Sequence, residues 1–308
     1  MQKLKAKVWR ARTLSLGRRA QIALHALRGD GGWPITTLLA RLAVQANRVL
    51  FPVRFLILAS SSAGNSAFIS DGVTHLLVDC GLSRRETFAR LEANGVDPSC
   101  IDAILITHEH CDHVSGLGPI AKKLAKPVYL TSATANALEE GKEAMHFKPF
   151  QAGTKLAIGS FEVQSFSLPH DAEDPVGYTF SSNGRKVGVC TDLGYMPDSI
   201  RYHLQDCDIL LLESNHDLEM LKVGPYPWSL KQRVMSRRGH LSNDVVSQFI
   251  LDDLSPRTRK LVLGHLSEQN NLPALAHMVA AQAIDRRGLT NIDLSVSEPR
   301  QQSSFFEI

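Results

Sequence analysis

Residues 107–113 read Thr107-His108-Glu109-His110-Cys111-Asp112-His113. Three imidazoles and an aspartate fall between His108 and His113, directly after a strand-like run, Ile101–Ile106. Neutral imidazole and carboxylate suit borderline and hard divalent metals. A strand end delivers such side chains into a short loop, where several can converge on one point. A lone histidine is usually a satisfied core residue, but four potential ligands in the order H-x-H-x-D-H are not explained that way. Cys111 stands between ligands. Its neighbours already fill the pattern, so it reads as a packing residue behind them.

Three further ligand candidates each follow a strand-like run. His170 ends Phe166-Ser167-Leu168-Pro169-His170, Asp192 follows Gly188-Val189-Cys190-Thr191, and His265 follows Leu261-Val262-Leu263-Gly264. Other β-rich runs are Arg54–Ala59, Ala67–Ser70, His75–Asp79, Val128–Leu130, Phe161–Phe166, Gly177–Phe180, Lys186–Cys190, Ile209–Leu212 and Lys260–Gly264. Asp71-Gly72 and Asn183-Gly184 read as hairpin turns. Helices are expected over Arg84–Asn94, Leu117–Ala125, Ser132–Glu140, Asp244–Leu254 and Pro273–Asp285. Ser242 or Asn243 suits the N-cap of the fourth, and Pro273 the first turn of the fifth. Strands with helices between and around them suggest helices outside two packed sheets, an α/β class.

The metal loop, with its three later partners in order and in strand context, resembles the signature of the metallo-β-lactamase fold. That resemblance implies a four-layer αββα architecture and two divalent metal ions, zinc or manganese. It implies that His108, His110 and His170 bind the first metal. Asp112, His113 and His265 would bind the second, and Asp192 would bridge them. Asp79 matches an early aspartate of the fold that orients the ligand loop from behind. Such a site lowers the pKa of bound water toward about 7 and offsets negative charge on the attacked centre. This supports hydrolysis of an amide, a thioester or a phosphodiester.

Two segments narrow the chemistry. Leu212-Glu213-Ser214-Asn215-His216-Asp217 follows a strand, and Gly239-His240-Leu241-Ser242-Asn243 opens a helix. They resemble segments in the phosphodiesterase branch of the fold, which includes ribonuclease Z. The resemblance implies that His240 assists the leaving 3′-oxygen and Glu213 orients it, while Asp112 helps orient the attacking group. A helix starting after Ser242 would aim free N–H groups at a phosphate.

These motifs, with Leu58–Ser66, Tyr226-Pro227 and Gly264–Asn271, are together similar to the bacterial WalJ/YycJ family over roughly residues 53–298. Ser61 and Ala63 soften the usual Gly/Ser loop, and Cys111 stands where Ser is common. The family resemblance implies a metal-dependent 5′→3′ exonuclease on double-stranded DNA, linked to DNA repair. Asn65, His216, Ser242 and Lys231 are its expected substrate contacts. Lys231, Arg233, Arg237 and Arg238 cluster before His240, where phosphates would be drawn to them. One alternative is a hydrolase of a small ester, thioester or cyclic phosphodiester. Another, outside enzymes, is a regulator of cell-wall signalling.

The formal net charge of +3 hides an asymmetry. Residues 1–54 carry eleven Lys or Arg against one acid, Asp30, which leaves the remainder at 23 bases and 30 acids, a net of −7. A basic, acid-poor arm could bind nucleic acid or an anionic membrane surface, or act as a transit peptide. The plainest reading is a flexible or partly helical extension, residues 1–52, dispensable to a hydrolase domain at 53–308. Five scattered cysteines without C-x-x-C argue against a disulfide framework and fit the reducing cytoplasm. No run of about 18 apolar residues suggests a membrane span.

Overall fold

Apolar runs between turn residues become β1 (Arg54–Ser61), β2 (Gly64–Ser70), β3 (His75–Val78), β4 (Ala103–Leu105), β5 (Pro127–Thr131) and β6 (His146–Phe150). They are followed by β7 (Lys155–Ile158), β8 (Phe161–Ser167), β9 (Val176–Ser182), β10 (Arg185–Cys190), β11 (Ile209–Glu213), β12 (Lys260–Gly264), β13 (Asp293–Val296) and β14 (Phe306–Glu307). The computed structural model describes residues 51–138, 145–298 and 301–308. Residues 1–50 of the expected extension, and the end of the helix expected over Ser132–Glu140, lie outside the described residues. Phe51–Ile308 forms one compact unit.

The strands build two seven-stranded sheets, ordered β14-β1-β2-β3-β4-β5-β6 and β13-β12-β11-β10-β9-β8-β7. Each is part antiparallel and part parallel, with β3 to β6 parallel in the first and β10 to β13 parallel in the second. Asn183 and Gly184 both have positive φ, 53° and 73°, as a tight turn between β9 and β10 requires. The helices are α1 (Arg84–Ala93), α2 (Cys111–Val114), α3 (Leu117–Leu124), α4 (Ser132–Ala137) and α5 (Asp198–Leu204). After these come α6 (Leu218–Val223), α7 (Trp228–Val234), α8 (Asn243–Asp252) and α9 (Pro273–Arg287).

Three apolar clusters define four layers. Phe55, Ile57, Ile69, Tyr178, Val187 and Val262 meet between the two sheets. Leu56, Leu77 and Ile104 on the other face of the first sheet meet Leu91 of α1 and Ile120 of α3. Leu210 and Leu263 on the outer face of the second meet Phe249 of α8 and Ala280 of α9. Burying each such large side chain contributes about 1.5–3 kcal/mol. Coverage on both faces explains why β11 and β12 are buried throughout rather than alternating. Tyr178 also ties the sheets together: its hydroxyl donates to the Ile106 carbonyl at 2.6 Å, one residue before the metal loop.

Candidate metal centre

Strand ends along one rim of the sandwich deliver the site. Asp79 follows β3, the Thr107–His113 loop follows β4, and His170 follows β8. Asp192 follows β10, Glu213 ends β11, and His265 follows β12. Asp79, Asp192 and His265 have φ of 59°, 67° and 55°. Non-glycine residues in this left-handed region concentrate at functional sites. Here the reversal turns the side chain inward directly off the strand. At Gly81, a Cβ would stand 1.7 Å from the Asp112 carbonyl oxygen, so only glycine lets the two loops approach.

The rear nitrogens of four of the five rings are tied to protein. His113 Nδ1 donates to Asp79 Oδ2 at 2.9 Å, and Thr107 donates to the same carboxylate from both its N–H and its hydroxyl. His108 Nδ1 lies 3.0 Å from Thr107 Oγ1. His170 Nδ1 donates to the Gly239 carbonyl at 3.1 Å, and His265 Nδ1 to Glu213 Oε1 at 2.7 Å. Each of these bonds fixes a tautomer and turns the opposite nitrogen, Nε2, inward.

The inward atoms converge. One donor atom from each of His108, His110 and His170 lies within 4.8 Å of the others, and the same holds for Asp112, His113 and His265. Asp192 stands between the sets, 3.3 Å from His113 Nε2, 3.5 Å from His265 Nε2 and 3.9 Å from His170 Nε2. His108 Nε2, His265 Nε2 and Asp192 Oδ2 are buried with no hydrogen-bond partner among the described residues. A buried polar atom left unpaired costs about 1–3 kcal/mol. Three such atoms aimed into one cluster of imidazoles and carboxylates fit divalent metal ions. Asp192, Glu213, His240 and His265 also lie close enough to form a ligand set. There, however, both imidazole Nδ1 atoms already donate to Glu213, so that group is a hydrogen-bond relay.

The electrostatics agree with a cation. Burial lowers the pKa of His265, but Asp192, Asp112 and Glu213 outweigh it and push the ring up to about 10. Burial raises Asp192, yet His265 and His113 hold it well below the usual carboxylate range. Glu213 is fully buried. Burial raises it, and His240 and His265 bring it down to about 2. His108 is held well below its ordinary value by burial and by His113 beside it. The surroundings thus favour positive charge at one point and neutral imidazole at another.

All seven expected ligands meet in this cluster. Asp79 sits behind His113, as the sequence resemblance implied. Glu213 and His240 lie at its edge: His240 Nδ1 donates to Glu213 Oε1 at 2.8 Å, and its ring is 5.1 Å from His170 and 5.3 Å from His265. Asn65 is buried, and its side-chain amide lies against the Ser61 carbonyl, Asp112 Oδ2 and, at 3.0 Å, the inward nitrogen His113 Nε2, which places it at the edge of the second ligand set. His216 is buried, and burial brings it down to about 4. Ser242 caps α8 by accepting from the Val245 N–H. Lys231 is buried and turned from the cluster, its amine donating to the Lys222 carbonyl. The Asn243 N–H at the start of α8 goes to the His216 carbonyl, so it is not open to a phosphate. Cys111 is exposed at the start of α2, not packed as expected.

Two supporting residues had no role assigned from sequence. Ser60 Oγ accepts from the His265 N–H at 2.9 Å, and Asn215 donates to the His265 carbonyl at 2.9 Å. Both lie in motifs that could have drawn attention, but a serine or asparagine carries no signal of which backbone it will hold.

Comparison with known proteins agrees with this geometry. The family model described as "Beta-lactamase superfamily domain" matches residues 74–266. The chain is 38% identical over 239 residues to exodeoxyribonuclease YycJ of Bacillus anthracis, covering 77% of this chain and 90% of that protein. It is 37% identical over 249 residues to exodeoxyribonuclease WalJ of Streptococcus pneumoniae, covering 79% and 93%. The chain therefore belongs to the β-lactamase superfamily and, within it, to the YycJ/WalJ family. The metallo-β-lactamase-fold protein YhfI from Bacillus subtilis shares the fold, with a TM-score of 0.61 at 18% identity, over 83% of this chain and 100% of that one. Zn(2+)-bound PqqB from Methylobacterium extorquens does so at 0.61 and 17%, over 82% and 99%.

Proposed function

We propose that this chain is a metal-dependent exodeoxyribonuclease that digests double-stranded DNA from the 5′ end, in DNA repair. Two ions, zinc or manganese, would be held by His108, His110 and His170 and by Asp112, His113 and His265, with Asp192 between them. Bound there, they would supply Lewis acidity, lowering the pKa of water and offsetting phosphate charge.

The observation that carries this reading is the shared Glu213 oxygen. His240 is tied through Nδ1 to the carboxylate that also holds the ligand His265. Its Nε2 is thereby the nitrogen left for chemistry, and its side chain is 21% exposed while Glu213 is fully buried. A carboxylate on Nδ1 favours the protonated ring. His240 Nε2 would give a proton to the departing 3′-oxygen. Asp112, 16% exposed and oriented by Asn65, would help aim the attacking group. A thioester hydrolase, whose thiolate leaves without a proton, needs no such donor beside the ligands. The free cysteines suit the reducing cytoplasm, and no described helix is long and apolar enough to cross a membrane.

The test is His240→Ala. DNA hydrolysis should fall about 100- to 10,000-fold, the scale of general acid–base help, with metal content unchanged. A nitrophenyl phosphodiester, whose leaving group needs no proton, should lose much less. Wild-type DNA cleavage by the variant, or loss of a metal, would overturn the role.

A further inference from the structure

Four basic residues precede His240 in sequence, and the structure sorts them. Lys231 is buried against a carbonyl, and Arg233 pairs with Asp171. Arg237 and Arg238 are exposed and have no carboxylate partner among the described residues. Arg238 is held by backbone alone, its Nε donating to the His170 carbonyl and its Nη2 to that of Ala172. Arg237 lies over the ring of Tyr195, its guanidinium carbon 4.0 Å from the centroid. Stacking of this kind restrains a guanidinium without using an N–H, so its donors stay free for an oxyanion such as a phosphate.

These residues line a groove of about 450 Å³ whose wall includes His170, one of the metal-centre histidines. It is built by tight backbone contact. Gly194 donates to the Pro169 carbonyl at 2.9 Å, and a Cβ on Gly194 would come within 2.3 Å of the Arg237 backbone. Glu173 and Asp174 line the groove as well. A phosphate would be repelled from these acids and confined to the arginines.

We propose that this groove is a second phosphate subsite. It would take the phosphodiester next to the scissile one on the strand being digested, with Arg237 and Arg238 as its contacts and Tyr195 as the residue that positions Arg237. The inference rests on the proposed nuclease function. Arginine offers paired N–H groups that match phosphate oxygens, and each phosphate contact adds to the salt dependence of binding.

The experiment compares duplex DNA with bis(p-nitrophenyl) phosphate, which has no second phosphate, across Arg237→Ala, Tyr195→Ala, Tyr195→Phe and Lys155→Ala. Lys155 pairs with Glu162 on the edge strand β7 and controls for loss of one positive charge. For Arg237→Ala, KM for DNA should rise about tenfold and the slope of log KM against log salt should fall by about one. Its loss on the small diester should be much smaller. Tyr195→Ala should give a lesser rise in KM that Tyr195→Phe reverses, and Lys155→Ala should match wild type. Equal losses on both substrates, or a DNA KM unmoved in Arg237→Ala while wild type digests DNA, would overturn the subsite alone. If wild type cleaves the small diester and not DNA, or cleaves neither, the nuclease reading itself falls.

Discussion

His240 and His265 are tethered to the same atom, Glu213 Oε1, at 2.8 and 2.7 Å. The other oxygen, Oε2, accepts from the Leu193 and Leu241 N–H groups at 3.1 and 3.0 Å. One buried carboxylate therefore holds a metal-centre histidine, a histidine outside the ligand set, and two loops of the rim.

Glu213→Gln tests that tether. Its amide nitrogen must face donors at one end, either the two rings or the two backbone N–H groups. Metal affinity should fall about 10- to 100-fold, the usual effect of removing a partner behind a ligand. The DNA cleavage rate should fall too, because His240 is released as well. Competition for metal against a chelator, read beside the rate, separates this variant from His240→Ala, where metal affinity holds. Unchanged metal affinity in Glu213→Gln would show that the carboxylate does not orient His265.

Asp79→Asn tests the opposite side of the centre. Asparagine tolerates the left-handed backbone at this position, so the substitution changes chemistry and not strain. It can still accept from Thr107 but not also present a second oxygen to His113 Nδ1. We expect metal affinity to drop about 10- to 100-fold while the thermal unfolding profile of the loaded protein keeps its shape. Full affinity in the variant would remove Asp79 from the description of the site.

Asp208, outside the metal cluster, is expected to contribute to stability in acid. Its side chain is 1% exposed and accepts from Arg185, Arg257 and the Lys186 N–H. Burial raises its pKa, but the Arg257 bond, with Lys186 and Arg185, outweighs that and leaves it lowered. A lowered folded pKa contributes stability above the unfolded value, near 3.9, that is lost as pH falls toward the folded one. Asp208→Asn should cost about 1.5–3 kcal/mol near neutral pH, the range for hydrogen bonds to a charged group. The gap from wild type should stay level down to about pH 5 and shrink below about pH 4, as denaturant unfolding at each pH would show. A gap that widens in acid would contradict the assignment.

The catalytic unit should begin at Phe51. Its carbonyl accepts from Asn183 at 3.1 Å, and a Cβ on Gly72 would meet its ring at 2.6 Å. Every motif of the site lies after it. A chain starting at Phe51 should fold and keep its turnover on DNA. Lost activity with metal content intact would give the preceding residues a part in catalysis.

The candidate ligands were readable because their chemistry is local. His108, His110, Asp112 and His113 share one loop, and His170, Asp192 and His265 each sit within three residues of a strand-like run. The strands that escaped notice, β6, β7, β13 and β14, are the four sheet edges. β6 carries Lys148 and Pro149, and β14 is two residues long, so neither shows a buried face. Helices α2, α5, α6 and α7 span four to seven residues, too few for helical periodicity to register. The expected substrate contacts fared differently because a polar side chain does not announce its partner. Lys231 looked like a phosphate ligand and closes the end of α6 instead. Arg237, from the same basic run, is exposed and lies over Tyr195.

The most direct measurement is digestion of 5′-end-labelled duplex DNA by chelator-stripped protein, with zinc or manganese added back stepwise. Stripped protein should be inactive, and release of nucleotides from the 5′ end should return and saturate at two equivalents of metal per chain. The His108→Ala/His110→Ala double variant should recover nothing. Full digestion by stripped protein, or no digestion at any metal level, would contradict a metal-dependent exodeoxyribonuclease built on these seven ligands.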